Sequence, residues 1–208
     1  MPAAGTEARA TGTFPRNPLI FRKAGKRYIL QWLTKSGVGH EMEPVKERIR
    51  VELRPVCAED REFLYALYRT TRARELDAWG WDEAQRGAFL EMQFKAQAHS
   101  YAAQYPDAEN SIVMLDGFPA GRMIVARDNH ALLLVDIAVL PQHQGAGIGS
   151  RLLCELMDRA AAESLGLRVS VLVSNSGAVR LYERLGLRRT GGDELYSRME
   201  WKPPGEAE

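Results

Sequence analysis

The stretch that most constrains the fold is residues 132–162, where an apolar segment runs directly into a glycine-rich turn and then into an amphipathic segment. Residues 132–140 are apolar apart from Asp136 and are partly β-branched, so they predict a buried strand that Pro141 ends. The segment after the turn predicts a helix with one apolar face, made of Leu152, Leu153, Leu156 and Met157. The helix N-terminus is therefore expected at the end of a buried strand.

The turn itself, residues 144–149, has the sequence QGAGIG. A glycine-rich turn at a helix start leaves backbone N–H groups free at the positive end of the helix dipole, which suits a phosphate or pyrophosphate. A P-loop fits poorly because Ser150 and Arg151, not Lys and Ser or Thr, follow Gly149. A dinucleotide fingerprint also fits poorly, because the glycines run G-x-G-x-G. A turn that binds nothing would not need three glycines in five residues.

A third pattern, Gln/Arg-x-x-Gly-x-Gly/Ala after a strand, is matched by Gln144, Gly147 and Gly149. The wider string IAVLPQHQGAGIGSRLL resembles the acetyl-CoA pyrophosphate motif of the GCN5-related N-acetyltransferases, the GNAT superfamily. A second segment, which begins at Asn175 and ends at Gly186, is similar to another motif of that superfamily. Independently of the resemblance, Asn175 predicts a helix N-cap and Gly186 a helix end.

The predicted elements follow the order β-α-α-β-β-β-α-β-α-β-β, a mixed α/β pattern of the α+β class, which disfavours a doubly wound parallel sheet. The resemblance implies the GNAT acyl-CoA N-acyltransferase fold, whose mixed, mostly antiparallel sheet splays between its central parallel strands, here residues 132–140 and 168–173. We expect three regions: an N-terminal extension, disordered or loosely helical, at residues 1–47, a GNAT domain at residues 48–202 and a frayed tail at residues 203–208.

By the resemblance, acetyl-CoA is the co-substrate and enters the splayed gap. Backbone N–H groups of the glycine turn would hold its pyrophosphate, a backbone N–H near Ala138 or Val139 would polarise the thioester, and Tyr182 would act as general acid toward the leaving thiolate. The expected cofactor contacts are Ile137, Ala138, Val139, Gln144, Gly145, Ala146, Gly147, Ile148, Gly149, Ser150, Asn175, Ala178 and Tyr182.

Asp136, the one carboxylate in the predicted central strand, is the candidate general base, since burial tunes carboxylates for that role. It lies three residues before Val139, so simple alternation puts the two side chains on opposite faces of the sheet. An Asp bonded to the backbone or paired with an Arg is the alternative interpretation. A water chain is a further route for the acceptor's proton.

The loop expected to select the acceptor, residues 75–83, holds Trp79 and Trp81 among acidic side chains. This composition would suit a cationic amine by charge and cation–π contact. The interpretation we favour is that the two tryptophans pack on the core while the acids cap helices and face water.

Composition excludes several classes of function. The net charge of +1 over 208 residues gives no argument for a nucleic-acid partner. Cys57 and Cys154 are far apart, which indicates a reducing compartment and no metal site, and Cys154 is expected to be buried. No apolar run approaches the roughly 18 residues of a membrane span, so we expect a cytoplasmic protein without stable membrane insertion.

Residues 19–35 interleave basic with apolar side chains, which would suit docking to a membrane surface or a partner. We favour an extension outside the fold, with Met42 as a candidate natural start.

Together these observations predict an acetyl-CoA-dependent N-acetyltransferase that acts on a primary amine of a small molecule, peptide or protein by direct attack in a ternary complex. The alternatives are a non-catalytic acyl-CoA-binding regulatory module and an acyltransferase that uses a longer acyl-CoA or a non-amine acceptor. The acceptor's identity is open, and a homodimer is among the assemblies that the sequence allows.

Overall fold

The structure, a computed structural model, describes residues 19–23, 26–30, 49–76 and 80–204, with side chains described for residues 49–72 and 80–204. The chain divides into two units, Met1–Arg48 and Ile49–Glu208. Trp79, one of the two predicted loop tryptophans, lies outside the described residues.

The first unit contains a β-hairpin. Strand β1 (Leu19–Lys23) pairs antiparallel with β2 (Lys26–Leu30), from Leu19 opposite Leu30 to Lys23 opposite Lys26. These residues are strand, where the sequence favoured disorder or loose helix. The aromatic and β-branched content of the two segments accounts for the difference, because such residues favour strands. Whether this stretch docks to a membrane or partner stays a prediction.

The second unit is built on a seven-stranded sheet with the order β3-β4-β5-β6-β7-β9-β8. Its elements in chain order are β3 (Val51–Pro55), α1 (Arg61–Leu76), α2 (Glu83–Gln104), β4 (Glu109–Leu115), β5 (Phe118–Arg127), β6 (Ala131–Val139), α3 (Ile148–Ala162), β7 (Gly166–Leu172), α4 (Ser176–Arg184), β8 (Arg188–Gly192) and β9 (Tyr196–Trp201). Only β6 and β7 pair in parallel among the neighbouring strands of this sheet. The predicted element order and the mixed, mostly antiparallel sheet are confirmed.

Local signals set the boundaries of several elements. The Asp82 carboxylate accepts from the Gln85 N–H at 2.8 Å and the Gln85 side chain accepts from the Asp82 N–H at 3.2 Å, which is the predicted capping box at the start of α2. Asp116 and Gly117 turn the β4–β5 hairpin with φ of 50° and 84°. Gly186 ends α4 with φ of 91°, as the sequence predicted.

A separate apolar core lies on each face of the sheet. One core joins β5, β6 and β7 to α3 and α4, and its α3 members are Ile148, Leu152, Leu153, Leu156 and Ala160. The other joins α1 and α2 to β4 and includes Leu64, Tyr68, Leu90, Phe94 and Ile112. Cys154 is exposed, contrary to the expectation of a buried thiol, because Leu152, Leu153 and Leu156 define the inner face of α3 and Cys154 points away from it.

Candidate active site

The sheet opens between its two parallel strands. Pairing of β6 with β7 runs from Ala131 opposite Gly166 to Leu134 opposite Val169 and stops there. Beyond that point β7 continues to pair with β9, as far as Leu172 opposite Tyr196, and β6 continues to pair with β5. Residues 135–139 of β6 therefore present one backbone edge to a gap, as the resemblance implied.

A β-bulge in β6 determines on which face of the sheet each of the following side chains lies. Ile124 lies opposite Asp136 and Val125 opposite Leu134, so Val135 is an extra residue with no partner in the register. Simple alternation would place Asp136 with Leu132 and Leu134, in the α3 core. The bulge reverses the alternation, so that Ile137 and Val139 pack against that core and Asp136 and Ala138 line a cavity beneath α1 and α2.

The backbone N–H and C=O groups of successive β6 residues point alternately toward β5 and toward the gap. The Leu140 N–H donates to the Ala120 carbonyl at 2.8 Å, and the register places Ala138 in the next hydrogen-bonded pair with β5. The N–H and C=O groups of Ile137 and Val139 consequently point into the gap. Of the two N–H groups predicted to polarise a thioester, that of Val139 has the required direction and that of Ala138 does not.

The glycine turn closes the end of this gap. Gly145 and Gly147 have φ of 75° and 82°, so the turn needs both glycines. Helix α3 begins at Ile148, and the turn of helix that follows is closed by the Arg151 N–H on the Gly147 carbonyl at 3.0 Å. The N–H groups of residues 148–150 precede that bond and point out of the helix N-terminus. These N–H groups are the donors that the sequence predicts for an anion, and anion binding here stays a prediction.

Two side chains at the turn have structural roles that the sequence did not reveal. The Gln144 side-chain amide donates to the Val139 carbonyl at 2.8 Å, so it ties the turn to the end of β6. The Arg184 guanidinium of α4 donates to the Ser150 hydroxyl at 3.5 Å and brings positive charge to the helix N-terminus. Ala146 is exposed on the turn.

Helix α4 supplies the other predicted residues. The Asn175 Oδ1 accepts from the Ala178 N–H at 3.2 Å and caps the helix, as predicted, and Ala178 packs partly buried against the core. Tyr182 is 6% exposed. Burial first, and then the negative charge of Asp136, raise the pKa of the Tyr182 phenol to about 12. Tyr182 and Asp136 are thus close enough to interact electrostatically, and Tyr182 carries its proton at neutral pH.

Asp136 is paired with an arginine, which was the alternative interpretation of this residue. The Arg122 Nη2 and Nε donate to the same Asp136 oxygen, Oδ2, at 2.5 and 3.1 Å. The Tyr101 ring of α2 lies 5.8 Å from the Arg122 guanidinium carbon. The cavity that contains this pair has a volume of about 40 Å³ and is lined by Leu64, Leu67, Tyr68, Thr71, Gln97, Arg122, Asp136 and Ala138.

No motif in the sequence pointed to Arg122 or Tyr101. A signal for Arg122 existed, because it is a charge inside an otherwise apolar predicted strand, as Asp136 is. Trp81 packs edge-on against Phe89 with ring centroids 5.1 Å apart, and it belongs to the core between α1, α2 and β4. The interpretation of Trp81 as a core residue is confirmed.

The model of the family described as "Acetyltransferase (GNAT) family" matches residues 61–187 of the chain. The chain belongs to the GNAT acetyltransferase family. This GNAT protein is therefore an acyltransferase by family, and the matched residues run from the start of α1 through the splayed strands, the glycine turn and α4. No curated protein matches the sequence of the chain.

Solved structures share the fold. PaiA N-acetyltransferase from Thermoplasma acidophilum, crystallised in complex with coenzyme A, is 18% identical, with a TM-score of 0.57 over 74% of this chain and 99% of that one. The ribosomal-protein-S18-alanine N-acetyltransferase from Escherichia coli is 22% identical, with a TM-score of 0.53 over 76% and 97%. A chimera of the Vibrio cholerae spermidine N-acetyltransferase SpeG with hSSAT is 20% identical, with a TM-score of 0.53 over 73% and 95%. At these identities the likeness shows the fold alone.

The described residues contain neither a cluster of metal ligands nor a membrane-spanning helix. Within the described part of this GNAT protein, no three His, Cys, Asp or Glu side chains gather where they could hold a metal ion. Among the described helices, none combines the length and the apolar character that crossing a membrane requires.

Proposed function

We propose that this GNAT protein transfers the acetyl group of acetyl-CoA to a primary amine by direct attack in a ternary complex. The observation that carries the proposal is the gap between β6 and β7, with the backbone of Ile137 and Val139 directed into it and a helix N-terminus at its end. A gap of this kind accepts an extended, amide-containing chain as an added strand, and the helix N-terminus accepts its phosphates.

The residues present fit acetyl-CoA in three places. The N–H groups at the start of α3, with Arg184 behind Ser150, are a site for the pyrophosphate. The N–H and C=O groups of Ile137 can pair with an amide of the pantetheine arm, and Asn175 and Ala178 lie on the opposite side of the gap. Support comes from PaiA, whose structure holds coenzyme A, and from the names of the S18-alanine and spermidine enzymes, which acetylate amines.

The chemistry requires an electrophilic carbonyl and a proton for the leaving sulfur. In the proposal, the Val139 N–H donates to the thioester oxygen and stabilises the charge that develops there during attack. The acceptor nitrogen forms a bond to the acetyl carbon as the carbon–sulfur bond breaks. The Tyr182 O–H donates to the departing thiolate, and the proton that the nitrogen loses returns the phenol to its neutral form. Atoms and charges balance to an amide and a free thiol.

Asp136 has a positioning role in this proposal. Its Oδ2 is engaged by Arg122, while the side chain is 24% exposed toward the cavity. A carboxylate held in this way can accept a hydrogen bond from the acceptor amine and fix its direction of attack. Water carries the excess proton of an ammonium acceptor away before attack.

A thiol-release assay with acetyl-CoA and a panel of primary amines tests the proposal. We expect turnover with at least one amine, and Tyr182→Phe is expected to lower kcat by about 100-fold, within the range of general acid catalysis. The matched control is Tyr105→Phe, which removes a phenol oxygen at the end of α2, outside the site.

Thermal unfolding with and without acetyl-CoA separates the alternatives. Stabilisation without turnover on any amine would favour a non-catalytic acyl-CoA-binding module. Absence of stabilisation would refute the cofactor assignment itself.

A further inference from the structure

Four exposed apolar side chains lie together at the end of β7 and the start of β9. Leu172 is opposite Tyr196 in the register of the two strands, and the Val173 N–H donates to the Leu195 carbonyl at 2.9 Å. The four side chains, which we call the apolar wall, are between 36% and 67% exposed. The other large apolar side chains exposed to this degree in the described part of the chain lie at β3, on α2 and at the start of β5. The wall is therefore a contiguous patch, and such patches mark binding surfaces.

The apolar wall stands on the far side of the gap from β6. Pairing between β6 and β7 ends at Val169, so Leu172 lies beyond the last paired position. Val169 and Val171 pack in the α3 core, and alternation turns Leu172 to the other face of the sheet, which Asp136 shares. Tyr196 is the cross-strand partner of Leu172 and lies on that face with it.

Tyr196 links the apolar wall to the site. Burial first, then the charge of Asp136, and then the Tyr196 phenol raise the pKa of the Tyr101 phenol. The Tyr101 ring is in turn in contact with the guanidinium of Arg122, which binds Asp136. Among the described residues, the apolar core beneath α1 and α2 contains no side chain of β7 or β9. The wall is thus an open surface next to the predicted position of the acceptor.

The main chain of the wall is already hydrogen-bonded. The N–H groups of Leu195 and Tyr196 donate to the Asp193 Oδ1 at 2.8 and 2.7 Å. The Leu195 carbonyl accepts from the Val173 N–H, and the Tyr196 carbonyl accepts from the Asp193 N–H at 2.8 Å. A peptide main chain laid on these two residues would find no backbone partner. An apolar group, in contrast, is stabilised there simply by leaving water.

We propose that the acceptor is a small primary amine with an apolar body, an alkylamine or arylalkylamine whose hydrocarbon part packs on the apolar wall. This inference rests on the proposed function and names the substrate class of the same site. The nitrogen lies in the gap near Val139 and Asp136, and the hydrocarbon leaves the gap over Leu172 and Tyr196. A diamine places its second ammonium on apolar surface, where it loses hydration. A diamine bound through Glu194, the exposed carboxylate beside the wall, would reverse this order, and the test includes it.

A homologous series of amines tests this inference in the thiol-release assay. The n-alkylamines from ethylamine to hexylamine have nearly the same basicity, so differences in kcat/KM report contact with the hydrocarbon. Complete burial of one methylene is worth about fourfold, and a one-sided wall should give about twofold for each, or roughly 15-fold over the series. Hexylamine should exceed hexamethylenediamine by at least about tenfold.

Variants of the wall locate the discrimination. Leu195→Ser and Tyr196→Ser are each expected to lower kcat/KM for hexylamine severalfold and to leave that for ethylamine unchanged, because Val139 and Tyr182 are untouched. Tyr196→Phe keeps the ring and should keep the preference for hexylamine. The matched control is Leu53→Ser, at a 43% exposed position on β3, which β4 and β5 separate from β6.

A second readout does not depend on turnover. Calorimetric titration of hexylamine into the protein saturated with coenzyme A should show weaker binding in the two serine variants of the wall than in Leu53→Ser. Leu195→Ser, at a 67% exposed position, keeps the test available if Tyr196→Ser does not fold.

The failures of the two proposals are distinguishable. Equal kcat/KM along the alkylamine series, or hexamethylenediamine as good as hexylamine, overturns the apolar acceptor and leaves the acetyltransferase intact. A peptide with an N-terminal phenylalanine that is a better acceptor than phenethylamine does the same, and so does a preference for hexylamine that survives in both serine variants. Stabilisation by acetyl-CoA without turnover or calorimetric binding of any amine overturns both proposals.

Discussion

Gly121 is the residue at which the geometry of the candidate site can be perturbed most selectively. It lies on β5 opposite Val139, and a Cβ at this position would stand 2.3 Å from the Ala138 carbonyl oxygen and 3.2 Å from the Val139 Cα. Real Cβ atoms essentially never approach closer than 3.0 Å, so Gly121→Ala must move the two strands apart by at least about 0.7 Å. Both contacts are to backbone, so no side-chain rotation can relieve them.

Two consequences follow from that displacement. Overpacking of this kind costs about 1–3 kcal/mol of the free energy of unfolding. The shift also falls on the part of β6 that carries the Val139 N–H and the Asp136 carboxylate, and misplacement of a catalytic group by about 1 Å lowers rates up to about 100-fold. We therefore expect kcat to fall by about 10- to 100-fold, while the affinity for acetyl-CoA, set largely by the glycine turn, changes less.

Urea unfolding, calorimetric acetyl-CoA binding and the thiol-release assay measure these three quantities. Gly87→Ala is the control, because a Cβ on Gly87 of α2 meets nothing within 4 Å and should stabilise the helix by up to about 1 kcal/mol. Unchanged stability and unchanged kcat in Gly121→Ala would refute the argument that close approach of β5 and β6 positions the site.

The other predictions concern the glycine turn, the core and pH. Gly147→Ala places a Cβ at a φ of 82°, which costs about 1–2 kcal/mol of the free energy of unfolding. The resulting shift of the α3 N-terminus should raise KM for acetyl-CoA by about tenfold, with a smaller effect on kcat. Equal effects on KM and kcat would contradict an anion site at this turn. Leu153→Ala removes a side chain with 0% exposure from the α3 core and should lower the free energy of unfolding by about 2–5 kcal/mol in urea, whereas Met92→Ala, at a 58% exposed position, should change it by less than about 1 kcal/mol. The Tyr182 phenol has its pKa raised from 10.0 to about 12, so its contribution to stability is fully present below pH 10 and is lost as pH rises toward 12, by roughly 2–3 kcal/mol. The pH dependence of unfolding above pH 10 should be correspondingly shallower in Tyr182→Phe, and identical alkaline profiles would refute the assignment of that pKa.

The sequence alone sufficed for the features that depend on neighbouring residues. Hydrophobic periodicity, the caps at Asp82 and Asn175 and the glycines of the turn are all local, so the element order and the fold could be predicted before any contact was known. The prediction that residues 144–149 bind phosphate was local in the same sense, since it needs only a helix N-terminus and a glycine-rich backbone.

Only the tertiary structure decided where the side chains of the site point and what they meet. The bulge at Val135 depends on how β5 and β6 fit together, and it overrules the alternation that would have hidden Asp136 in the α3 core. The partner of Asp136 is Arg122, on a different strand, and Tyr101 arrives from α2. Such contacts join residues that no local sequence pattern connects. Strand register and helix packing depend on how whole apolar faces of the sheet and the helices are buried together. The sequence therefore determined that this chain is a GNAT acetyltransferase and predicted a phosphate-binding turn, and the packing of α1 and α2 over the sheet determined which side chains line the cavity beside it.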